Sequence, residues 1–243
     1  MKPFVLLATR GEDAAADGEY EAMLRFGGLG AEQLVRVRLE SGPLPALDLD
    51  EVSGIIVGGS PFTTSDPEHK KADVQRRVEA ELAALVTEVL ARDFPFLGAC
   101  YGVGTVGVLA GGVVDGTYAE PVAAVPITLT DDGRADPVFG AMPDTFDAFV
   151  GHKEAVRVAP PGAVVLATSP ACPVQAFRLG QNVYATQFHP ELDVPGIQTR
   201  IDVYRHAGYF RPDEVDALLE EVRGADVSHA SGVLRGFVER YAR

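Results

Sequence analysis

The run FPFLGACYGVGTVGVLAGG, residues 94–112, constrains the fold more than any other stretch of the chain. Its first part, FPFLGA, has the continuous apolar pattern of a strand buried on both faces. Its second part is Gly-rich and helix-like, and Gly98-Ala99-Cys100-Tyr101-Gly102 turns one into the other with no linker. The same grammar recurs upstream. PFVLLA (3–8) and SGIIVGGSP (53–61) read as buried strands, while LVRVRLE (34–40) alternates and reads as half-exposed. GEYEAMLRFGGLG reads as a short helix ending at Gly27 and Gly28. From Lys70 to Arg92, Val74, Val78, Leu82, Leu85, Val86, Val89 and Leu90 form one apolar stripe, with Glu79, Glu81 and Glu88 off it. This strand–helix alternation predicts an α/β fold with a mostly parallel central sheet flanked by helices.

The pattern changes after Gly112. VAAVPITLT, TFDAFVGH, AVVLAT, PVQAFRL and NVYATQF are short β-like runs broken by Asp, Gly and Pro, which predicts extra, partly antiparallel strands. Helices are expected beyond His189, over about 195–207, 212–223 and 228–241. With 243 residues and no long linker, a single domain over 1–243 is expected. A net charge of −14, from 35 acidic and 21 basic side chains, argues against a nucleic-acid partner. No apolar run approaches the roughly 20 residues that span a bilayer, and the N-terminus turns acidic too early for a signal peptide. A soluble, cytoplasmic protein without a membrane partner is the expectation. There is no H-x-x-x-H or C-x-x-C pair to suggest a metal, and no Gly-rich run carries the Lys-Ser/Thr of a P-loop. Two cysteines do not make a disulfide framework, and Cys172, between prolines with no histidine nearby, reads as structural.

Cys100 raises the chemical question. G-x-C-x-G between strand and helix has the form of a nucleophile elbow, in which flanking small residues relieve a strained turn. The helix N-terminus that follows would favour thiolate. The pentapeptide alone equally describes a buried cysteine at a strand end. A nucleophile needs a base, and of five histidines His189 stands out in TQFHPEL. If the chain stays extended there, His189 and Glu191 point to one side, and Pro190 blocks helical continuation. That would give a Cys-His-carboxylate set, although an isolated H-P-E also describes a turn histidine beside a solvated glutamate. Gly58-Gly59-Ser60-Pro61 closes another strand. Its Gly59 N–H, with the Tyr101 N–H, would supply an oxyanion hole, unless this is simply a Gly-Gly turn.

Taken in this order, GGSP, GACYG and TQFHPE resemble the class I glutamine amidotransferase family over roughly residues 45–195. The likeness is to unlinked members similar to the amidotransferase domain of GMP synthetase. The resemblance implies a flavodoxin-like sheet, a triad of Cys100, His189 and Glu191, and no cofactor. It also implies thiolate attack on the γ-carboxamide of a small-molecule substrate (glutamine or a γ-glutamyl compound), release of ammonia and hydrolysis of a γ-glutamyl thioester. Ammonia would pass to a synthetase on a second polypeptide; a second copy of this chain is also compatible with the sequence. By the same likeness Gly58, Gly104 and the FVGHKEAV loop, with His152, Lys153 and Glu154, would border the substrate, although a solvated loop explains its charges equally well. One departure stands out. The family usually reads C-x-G-x-Q, and here Gly104 takes the glutamine's place. Losing a polar contact in a site built for it can cost orders of magnitude in recognition. Two alternatives therefore stay open: a γ-glutamyl peptide hydrolase or transferase on the same triad, and a weakly active or non-catalytic regulatory subunit.

Overall fold

The computed structural model describes residues 1–205 and 214–243. Five strands form the parallel half of one nine-stranded sheet: β1 (Phe4–Ala8), β2 (Leu34–Arg38), β3 (Gly54–Val57), β4 (Phe96–Ala99) and β11 (Val183–Thr186). Their order is β2-β1-β3-β4-β11, every neighbouring pair parallel. The sheet continues antiparallel through β10 (Ala176–Leu179), β9 (Val164–Thr168), β6 (Glu120–Leu129) and β7 (Thr145–His152). β5 (Val113–Asp115) and β8 (Ala155–Val158) make a separate antiparallel pair. The expected α/β architecture, parallel in one half and antiparallel in the other, is therefore present.

Buried strands need apolar residues on both faces, and β1 shows the division. Phe4 and Leu6 join a core under α1 (Asp13–Gly27) and α7 (Gly232–Tyr241). Val5 and Leu7 join the opposite core, under α2 (Asp73–Arg92) and α3 (Tyr101–Leu109). The α2 stripe buries Val78, Leu82, Leu85, Val86 and Val89 as its spacing requires. α1 stops where Gly28 takes the left-handed conformation (φ 67°) and returns its N–H to the last turn.

Some details differ from the expectation. α4 (Asp131–Ala135) was not visible in the sequence because Gly133 weakens helical propensity; Thr130 caps it by accepting from the Gly133 N–H. α5 (Val194–Val203) and α6 (Val215–Arg223) follow the H-P-E turn, and the expected boundaries at 207 and 212 lie outside the described residues, as does His206. Among the described residues no helix is long and apolar enough to cross a membrane.

The parallel strands place the site. β1, β3, β4 and β11 all end at one edge of the sheet, and in open α/β sheets ligands bind beyond those carboxyl ends. Arg10, Gly58, Gly59, Cys100 and His189 lie just past these ends.

Candidate active site

Cys100 leaves β4 at φ 53° and ψ −85° and caps α3. Such a backbone is rarely adopted by non-glycine residues and costs roughly 1–3 kcal/mol. It persists because the neighbours fix it. The Cys100 N–H donates to Thr186 O at 2.7 Å, extending the β4–β11 ladder one residue beyond the strand. A Cβ on Gly98 would lie 2.8 Å from Gly102 Cα, so strand and helix can approach this closely only with glycine at 98. The thiol is thereby held at the mouth of the turn, half-buried.

His189 arrives differently from the expectation. β11 stops at Thr186, and the chain turns rather than staying extended: the Leu192 N–H returns to His189 O at 3.4 Å. The His189 N–H donates to Phe149 O in β7 at 3.0 Å. The turn puts Nδ1 of His189 2.8 Å from Oε1 of the fully buried Glu191. Cys100 and His189 line one cavity of about 50 Å³, although no hydrogen bond joins them among the described residues.

Around this pair lies a buried ionic network that sequence reasoning missed. Glu19, from α1, accepts from Arg10 Nε and Arg200 Nη2, each at 3.1 Å. Arg200, from α5, also donates through Nη2 to Glu191 Oε1 at 2.8 Å, and its Nη1 lies 3.1 Å from His189 Nδ1. That nitrogen can serve only one partner. Protonated, it donates to Glu191 and leaves Nε2 as a base; unprotonated, it accepts from Arg200 and Nε2 carries the proton. Arg10 Nη1 reaches the Tyr204 hydroxyl at 3.3 Å, and that hydroxyl donates to Glu12 at 2.9 Å.

Charge states follow from burial and these partners. Burial pushes the Cys100 thiol up to about 12, outweighing the lowering by the Arg10 guanidinium. The raised value favours the thiol and opposes the pull of the α3 N-terminus toward thiolate. Burial also lowers His189 against the pull of Glu191. Burial alone would raise Glu191, but the charges of His189 and Arg200 and the His189 hydrogen bond hold it well below the usual carboxylate range. Alkylation of ligand-free protein by iodoacetamide at Cys100 should accordingly keep rising with pH through about 10, with no plateau near neutrality. An inflection below about pH 8, measured by mass spectrometry of the Cys100 peptide, would contradict the raised thiol.

The remaining expected residues fall in three groups. Tyr101 begins α3, so its N–H has no intrahelical acceptor and suits an oxyanion donor. The Gly59 N–H is engaged: it donates to Glu19 Oε1 at 3.2 Å, so the expected oxyanion role requires Glu19 to release it. Gly58 supports that same carboxylate, since a Cβ there would lie 2.5 Å from Glu19 Oε2. His152 lines the cavity beside Cys100 with both ring nitrogens engaged. Its Nε2 pairs with Glu120 Oε2 and its Nδ1 with Glu154 O, both at 2.9 Å, in a buried cluster that also holds Gln175.

Gly104 has a steric explanation. The Glu154 carboxylate accepts from the Thr64 and Ser65 N–H groups at 2.8 and 2.7 Å, and a Cβ on Gly104 would lie 2.8 Å from both Glu154 Oε1 and Thr64 Oγ1. Glu154 thus takes the space a side chain at 104 would need. Gly104→Ala should destabilise the protein by about 1–3 kcal/mol through this overpacking, and Gly104→Ala/Glu154→Ala should recover part of the loss in urea denaturation. Additive losses would show the two positions to be independent. Lys153 and Glu154 line a second cavity of about 30 Å³ that meets Cys100 from the other side, together with Tyr101 and Gln187.

Comparison with known proteins agrees with this geometry. The family model for glutamine amidotransferase class-I matches residues 31–197. One of the separate subunits of a GMP synthase (glutamine-hydrolyzing), from Methanocaldococcus jannaschii, is 31% identical over 143 residues, covering 58% of this chain and 66% of that protein. GMP synthase (glutamine-hydrolyzing) of Lactococcus lactis subsp. cremoris is 28% identical over 157 residues, covering 63% of this chain and 28% of that one. The match thus spans less than two thirds of the length of either relative. In fold, a glutamine amidotransferase from Thermotoga maritima superposes with a TM-score of 0.78 at 22% identity, over 99% of this chain and 98% of its own. With the family model covering more than half of its length, and with a cysteine elbow and an H-P-E turn at one sheet edge, this chain belongs to the class I glutamine amidotransferase family.

Proposed function

We propose that the chain is a cysteine-dependent glutaminase-type hydrolase that releases an amine from a γ-carboxamide through a γ-glutamyl thioester. One observation carries the reading: the strained Cys100 and a His189 oriented by buried Glu191 line the same cavity. Substrate entry removes water from that cavity, and His189, in its Nδ1–H form, takes the thiol proton through Nε2 as the sulfur attacks the γ-carbonyl carbon. The C–S bond forms and negative charge moves to the carbonyl oxygen, toward the Tyr101 N–H. His189 then returns its proton to the amide nitrogen, the C–N bond breaks, and water cleaves the thioester to give glutamate and the free thiol.

Residues 1–243 act in this reading as one amidotransferase-like unit in the cytoplasm. That the archaeal relative is named as one subunit of its synthase supports a second polypeptide that receives the ammonia. Intact-mass spectrometry after incubation with a diazo-ketone analogue of glutamine tests the reading. One adduct, lost in Cys100→Ala, is the expected result. Absence of the adduct from protein that iodoacetamide still labels at Cys100 would overturn the glutamyl reading.

A further inference from the structure

Cys100 lines two cavities that differ in character. The smaller one is the more polar of the two, lined by Thr63, His152, Lys153, Glu154 and Gln187 beside the Phe62 and Tyr101 rings. Two residues on its wall, Tyr101 and Gln187, carry buried side-chain oxygens without a hydrogen-bond partner among the described residues. The larger cavity lies on the His189 side; apart from Arg10, Ser60, Arg200 and Tyr204 its wall is aliphatic, formed by Val122, Val150, Leu192, Ile197 and Ile201. They come from β6, β7, the H-P-E turn and α5, and all but Val122 are buried.

Proton transfer decides which arm of a substrate enters which cavity. The leaving nitrogen must be protonated by His189, and of the two cavities His189 lines only the aliphatic one. The leaving group therefore sits among the aliphatic side chains, and the amino-acid end of the γ-glutamyl group takes the polar cavity. Ammonia has no use for five aliphatic neighbours. The aliphatic cavity, about 50 Å³, exceeds the roughly 10–15 Å³ that one water requires. Arg10 and Arg200 border it, but both are already paired, with Glu19 and Glu191. Among the described residues no unpaired positive charge borders it to recruit a carboxylate on the leaving amine.

Resting on the hydrolase reading above, we infer that the preferred substrate is a γ-glutamyl amide of a short, uncharged alkylamine, with Val150, Leu192, Ile197 and Ile201 as the specificity-determining wall. The chemistry balances as for glutamine: the thiol proton passes by way of His189 to the amide nitrogen, the alkylamine leaves, and water releases glutamate.

The test compares kcat/KM for glutamine with that for γ-glutamyl methylamide, ethylamide and propylamide, and for γ-glutamylglycine, whose leaving amine carries a carboxylate. Each carbon buried in the transition state should raise kcat/KM by about four-fold until the cavity is full, so that ethylamide exceeds glutamine by roughly sixteen-fold. γ-Glutamylglycine should fall below ethylamide. Ile197→Phe should cancel the ethylamide advantage by filling the cavity. Ile197→Ala, the safer variant for folding, should move the optimum to longer chains. Glutamine equal to or better than every alkylamide would overturn the inference and leave the hydrolase reading standing. Cleavage of none of these amides, with no diazo-ketone adduct at Cys100, would bring down both.

Discussion

Cys100→Ala should lower kcat for amide hydrolysis by roughly 10⁴–10⁶-fold, with His189→Asn close behind and the double variant no worse than either single one. The non-additivity is the informative part. Nucleophile and base perform one step together, so losing either removes that step. Glu191→Gln should cost about 10³–10⁴-fold, because an amide can present its N–H to Nδ1 and favour the wrong tautomer, and because the imidazolium would then face Arg200 and Arg10 with only Glu19 left to balance the three charges. A control separates chemistry from folding. The backbone at position 100 is at φ 53°, so Cys100→Gly should be more stable than Cys100→Ala by about 1 kcal/mol, while both are inactive. Glutamate release at the wild-type rate from either Cys100 variant would remove the mechanism altogether.

What could be read from the chain depended on how local the signal was. The elbow was legible because Gly98 and Cys100 lie within three residues of each other and the size of Gly98 reports the close turn. His189 and Glu191 were legible as a pair, although for a partly wrong reason: a turn, and not an extended strand, brings them together. Arg10, Glu19 and Arg200 escaped notice. Charged residues in helical segments normally face water, and nothing in GEYEAMLRF or QTRID distinguishes Glu19 or Arg200 from a solvated face. They are buried because α1 packs against α5 over the strand ends, a long-range consequence of topology. One signal was available: Arg10 falls two residues beyond β1, at the carboxyl end of a parallel strand, where functional side chains collect. Likewise, Gly104 looked like a loss until Glu154, fifty residues away, was found in its space. Steric exchange between distant positions leaves no trace in either segment alone.

The buried network makes the second large prediction. Arg200→Met should destabilise the protein by about 3–5 kcal/mol, a fall in Tm of roughly 6–20 °C for a chain of this size. Arg200 holds both Glu19 and Glu191, and Met would leave Glu191 to His189 alone inside the protein. Arg205→Met is the matched control: its pair with Asp202, at 3.0 Å, is exposed, and its loss should cost at most about 1 kcal/mol. The difference between wild type and Arg200→Met should depend on pH with a definite sign. The depressed Glu191 contributes stability that is present above the ordinary glutamate range and lost as pH falls toward its folded value. Without Arg200 that depression weakens, so acid removes less from the variant. His189, lowered by burial and further by Arg200, acts in the same direction: the unfolded chain takes its proton first as pH drops through about 6.5. The stability gap should thus be widest near neutral pH and narrow steadily toward about pH 4, as read from urea denaturation at each pH. A gap that stays constant over that range would mean that Arg200 contributes packing and not charge, and that the network does not set the protonation of the histidine beside Cys100.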